Sequence, residues 1–130
     1  MKTKIKNIFN KLRRTLVYSG YDVVLTTKLK PSSGNHRARY RGVKGYIAPD
    51  QLRIYVSRKL PVNDRVITLI HELLHELYPT WTEPRVERQS KSIFRHLTVP
   101  QLGFLQFFVM SRIEIGSMLK QRAPQHSPIC

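Results

Sequence analysis

Residues 68–78 (Thr-Leu-Ile-His-Glu-Leu-Leu-His-Glu-Leu-Tyr) constrain the fold of this chain more than any other stretch. Apolar side chains recur there at helical spacing, and Val66, Ile70, Leu73, Leu74 and Leu77 share one arc of a helical wheel. A helix this apolar must lie against a core. His71 and His75 stand on the edge of the arc, one turn apart and on the same face, because positions i and i+4 project together. Asp64 and Thr68 fall close to them. Two imidazoles so placed can bind one metal ion. Glu72, roughly 100° further round, misses that ion but reaches a water beside it. An edge position suits a metal site, since packing holds the ligands while one side stays open.

Two histidines rarely hold a catalytic metal alone, and three protein ligands are usual. The continuation H-x-x-G-x-x-H is excluded, because the chain reads His75-Glu76-Leu77-Tyr78-Pro79-Thr80-Trp81. Tyr78-Pro79 ends the first helix, since the residue before proline is pushed out of the α region. Thr82 is a natural N-cap with Pro84 in the first turn, so a second helix is expected from near residue 82 to about 97. Its apolar stripe is Val86, Ile93, Phe94 and Leu97, with Ser90 among them. Glu83 projects roughly 35° from the stripe centre and Glu87 roughly 75°. Glu83 is therefore better aimed at the histidines, and Glu87 stays as the alternative ligand.

The H-E-x-x-H run with its apolar flanks, preceded by a strand-like Leu52-Arg53-Ile54-Tyr55-Val56-Ser57, resembles the active-site signature of the zincin metallopeptidases. The short chain is similar to the small gluzincins: minigluzincins and the ImmA/IrrE-like and SprT-like domains. The resemblance covers residues 51–97. It implies a zinc-dependent metalloendopeptidase acting on a protein or peptide substrate, with one zinc ion on His71, His75 and Glu83. Glu72 would be the general base, and Glu87 the acceptor that fixes a histidine tautomer. Tyr78 and His96 are candidates for oxyanion or substrate contacts. The alternating strand over residues 52–57 is expected to be a half-buried edge to which an extended peptide adds.

Length and composition bound the rest. One domain over residues 1–122 is expected, with residues 123–130 as a flexible tail. The single cysteine, Cys130, excludes an internal disulfide and suggests a reducing, cytoplasmic setting; no signal peptide or membrane span is evident. His126 and Cys130 are zinc-ligand types, so the tail is also a candidate for covering the open metal position.

The net charge of +15 is unevenly placed: residues 1–65 hold 16 Lys/Arg against 3 acids, and residues 66–130 hold 7 against 5. The densest parts are residues 2–14 and 28–44. In the second, Arg37, Arg39, Arg41 and Lys44 are candidate nucleic-acid contacts, with Tyr40 and Tyr46 able to stack on bases. An acidic protein or a membrane surface would also suit such charge. The alternative function is a DNA-associated regulatory protein with a zinc site, either cleaving a repressor or binding without catalysis.

Ile5, Ile8, Phe9, Leu12 and Leu16 mark a basic amphipathic helix over residues 5–17. Residues 21–29 are β-rich, and residues 40–48 and 52–57 form two strands turning at Pro49-Asp50. After the helix pair, a third helix is expected from Thr98 to about Lys120. The expected class is α+β: a small antiparallel or mixed sheet flanked by helices, zincin-like, with an active-site helix followed by a glutamate helix.

Overall fold

A computed structural model of the chain describes residues 2–27, 29 and 44–122. Helix α1 (Lys2–Tyr18) leads into β1 (Asp22–Thr26), β2 (Gly45–Ala48) and β3 (Arg53–Ser57); then come α2 (Val62–Leu77), α3 (Glu83–Arg95), α4 (Val99–Phe108) and α5 (Arg112–Arg122). The class is α+β, and the sheet is mixed. Its order is β1-β3-β2, with β1 parallel to β3 and β2 antiparallel to it.

That order corrects one expectation. β3 is the central strand, so it cannot accept a peptide by edge pairing. Its alternation of Arg53 and Tyr55 against Ile54 and Val56 is real, but it reports one solvated face, and a central strand with one open face reads the same way. Leu52 is not in the strand: it closes a 3-10 turn over Pro49–Gln51 in the left-handed region, at φ 54°.

α2 holds the fold together because it is buried on more than the predicted arc. Val66, Leu69, Ile70, Leu73 and Leu74 have no exposed surface, and Arg65 and Thr68 are buried beside them. The helix packs against β2, β3, α1, α3 and α4. The predicted stripe of α1 is buried in full, with Phe9 meeting Phe104 of α4 edge-on. α2 sits so close to β2 that Gly45 has no room for a side chain. A Cβ there would lie 2.5 Å from the Tyr55 carbonyl oxygen and 2.7 Å from the Thr68 methyl.

A second correction concerns the last helix, which is two. α4 ends at Phe108 and α5 begins at Arg112. The new start is a capping box: Ser111 Oγ accepts from the Glu114 N–H, and the Glu114 carboxylate accepts from the Ser111 N–H. Glu114 also receives Arg65 through both Nη atoms, at 2.8 and 2.9 Å. The same guanidinium donates to the carbonyls of Arg58, Leu60 and Val109. All five of its N–H groups are thus satisfied, which is what lets an arginine lie buried at this junction. Among the described residues, no helix is long and apolar enough to cross a membrane.

Candidate metal centre

The turn after α2 sets the geometry. Tyr78 is its C-cap, and the next helix starts five residues later with Thr82 as N-cap, its Oγ accepting from the Arg85 N–H. Tyr78 and Trp81 stack at 4.1 Å with an 8° interplanar angle, and the Trp81 N–H donates to the Tyr78 carbonyl. Cations flank the stack. Lys11 Nζ donates to the Tyr78 hydroxyl, and the Arg85 guanidinium lies 4.3 Å from the Trp81 ring centroid. This short, braced turn folds the first residue of α3 back over the end of α2.

Glu83 therefore faces both histidines. Its Oε1 is 2.7 Å from His71 Nε2 and 3.0 Å from His75 Nε2, and the two Nε2 atoms are 3.1 Å apart. The histidine side chains are 17% and 30% exposed and that of Glu83 is 42%, so the cluster is packed from below and open at its rim. Glu87, one turn along α3, places Oε1 3.3 Å from His71 Nδ1. A proton on Nδ1 directed at Glu87 leaves the Nε2 lone pair of His71 facing Glu83 and His75. Of the two candidate carboxylates, Glu83 meets the Nε2 atoms and Glu87 stands behind His71.

Those three inward atoms fit a metal ion. Around a tetrahedral zinc with bonds of about 2.0–2.1 Å, ligand atoms lie about 3.3 Å apart. The observed separations of 2.7, 3.0 and 3.1 Å are tighter by roughly 0.2–0.6 Å, so an opening of the rim by about half an ångström would seat an ion. His71, His75 and Glu83 are the group among the described residues whose ligand atoms all lie within 4.8 Å. Two nitrogens and a carboxylate oxygen suit zinc and similar divalent ions.

Glu72 lies outside this triad and against the sheet. The backbone N–H of Ile47, in β2, donates to its carboxylate. Burial and then the charge of Glu83 push its carboxyl up to about 8, against the lowering effect of the Ile47 hydrogen bond. Burial raises Glu83 too, but His71 and then His75 outweigh it, and its carboxyl stays below the ordinary range. Sequence reasoning missed the part of β2. A strand's distance from a residue on a later helix leaves no trace in either segment's pattern.

The remaining candidates are placed as follows. Tyr78 spends its hydroxyl on Lys11 and its ring face on Trp81. His96 caps the far end of α3, bonded to the Ser92 carbonyl. Thirteen residues of helix, about 20 Å, separate it from Glu83, so it is not brought to the ligands. Tyr46 stacks on Tyr55 across the β2–β3 pair at 4.8 Å. Lys44 is exposed just before β2. Arg37, Arg39, Arg41 and Tyr40, and the tail with His126 and Cys130, lie outside the described residues. The chain matches no protein-family model, and neither a curated protein nor a solved structure is found to match it.

Proposed function

We propose that this protein is a zinc-dependent metalloendopeptidase. The convergence of His71 Nε2, His75 Nε2 and Glu83 Oε1 on one point, with the Glu72 carboxylate beside them on α2, is the observation that carries this reading. Zinc on those three ligands would supply Lewis-acid polarisation of a scissile carbonyl and of an attacking water. The chain's own residues do the rest. Glu72 takes a proton from the water and returns it to the leaving amine. Its raised affinity for a proton suits a base, and a dication held by the three ligands would offset the part due to Glu83. Glu87 holds the tautomer of His71, and the Tyr78–Trp81 stack holds Glu83 at the start of α3.

The strand that fits substrate binding is β2. Among the described residues it pairs only with β3, and it touches the proposed base through Ile47. An extended peptide adding to β2 would lie along Glu72.

A non-catalytic zinc site is the weaker reading, because such a site takes four protein ligands and has no use for Glu72. Glu72→Gln tests the choice. The variant should keep one zinc per chain and lose about 10²–10⁴-fold in cleavage of an unfolded protein. Wild type that binds zinc but cleaves nothing across a broad substrate panel would sink the peptidase reading. Failure of wild type to bind zinc would sink the metal reading as well.

A further inference from the structure

The outward face of α1 is a second polar surface; it supplies none of the three ligand-type residues, and it touches the turn beside them through Lys11, which donates to the Tyr78 hydroxyl. Around the helix, Ile5, Ile8, Phe9, Leu12, Thr15 and Leu16 fill one half and are buried. From Lys4 to Tyr18 the other half is exposed, and the helix sequence Lys2–Tyr18 contains no acid. Its cations are ordered. At 100° per residue, Lys4 and Lys11 form one row and Lys6 and Arg13 another. Between the rows, roughly 80° from each, runs a crest of Asn7, Asn10 and Arg14. Among the described residues, Lys4, Lys6, Arg13 and Arg14 have no ion-pair partner. Lys11 gives one donor to the Tyr78 hydroxyl and keeps two others.

We infer that this face of α1 binds double-stranded DNA, with the helix in the major groove and the two basic rows on the phosphates of the opposite walls. A helix about 10–12 Å across matches a groove about 12 Å wide. The crest carries asparagine and arginine, the residue types that pair with adenine and guanine edges there. A-form RNA is a poor fit, because its major groove is deep and narrow. An anionic membrane is a poor fit for a different reason: the apolar half of α1 is committed to the core, so nothing is left to enter the acyl region. The inference is independent of whether the metal centre hydrolyses peptides.

The test uses the full chain and a fluorescent duplex DNA of about 20 base pairs, with anisotropy followed from about 50 to 200 mM salt. Wild type should bind, and log K should fall linearly with log salt. The K4Q/K6Q/R13Q/R14Q variant alters only exposed side chains, and its circular dichroism should match wild type. Its salt slope should be shallower by about 3, with affinity at 100 mM salt reduced at least tenfold. N7A/N10A should leave the slope unchanged and narrow the spread of affinities over a set of duplex sequences. Three outcomes overturn the proposal: no duplex binding at 50 mM salt, an unaltered slope in the four-site variant, or equal binding to phosphatidylserine vesicles.

Discussion

Two polar clusters hang on α2, and they differ in how open they are to solvent. Near the start of the helix, Arg65 matches five N–H donors to three carbonyls and both oxygens of Glu114. Nothing is missing there, and the cluster's effect is to tie α5 to α2. Near the end, His71 Nε2, His75 Nε2 and Glu83 Oε1 crowd within 2.7–3.1 Å. Burial raises the Glu83 carboxyl, but His71 and then His75 outweigh it and keep it below the ordinary range. A closed network stabilises a junction, whereas three ligand-type atoms gathered at a solvent-open rim are where a ligand is expected.

The largest test of this contrast is metal addition. Zinc at about a thousand times its Kd should raise wild-type stability by about 4 kcal/mol, read as a rise in Tm reversed by chelator. His75→Ala should abolish that rise while its stability in chelator changes by about 0.5 kcal/mol or less. If the chelated His75→Ala protein is grossly destabilised, the cluster is a structural one after all.

Glu114→Ala should show the opposite profile. Removing the carboxylate leaves a guanidinium only 5% exposed without its main partner, which costs about 3 kcal/mol in denaturant unfolding. Zinc affinity should be unchanged. The same pair carries a pH dependence. Hydrogen bonds from Arg65 and then from the Ser111 backbone lower the Glu114 carboxyl from 4.5 to about 2. Its stabilisation is therefore complete above pH 4.5 and lost as pH falls toward 2. Glu114→Gln should flatten the stability profile across that interval, and an unchanged profile would mean that other carboxylates dominate it.

Smaller effects probe how the open cluster is supported. Glu87→Gln should weaken zinc binding by about 10–100-fold, the usual consequence of losing the acceptor behind a ligating histidine. Trp81→Ala should have a milder effect, about tenfold or less, and Trp81→Phe should recover most of it because the stack on Tyr78 survives. Equal zinc affinity in Trp81→Ala would show that Thr82 capping alone places Glu83.

Much of this architecture is legible along the chain because it is local. Helical periodicity marked the five buried apolar positions of α1, and proline with an N-capping threonine marked the turn between α2 and α3. Projection around the second helix separated Glu83 from Glu87 by angle, and those angles follow from 3.6 residues per turn alone. The Ser111-x-x-Glu114 box was equally local, yet no glycine or proline interrupts residues 104–115, and the run reads as one helix. What tertiary structure alone decided is which distant segments meet. The strand order made β3 central and β2 the edge beside Glu72, although alternation is the same in either position. It also buried Arg65, because its five acceptors come from three separate segments that only folding assembles. Periodicity reports a residue's face, whereas neighbours across a layer depend on how the layers stack.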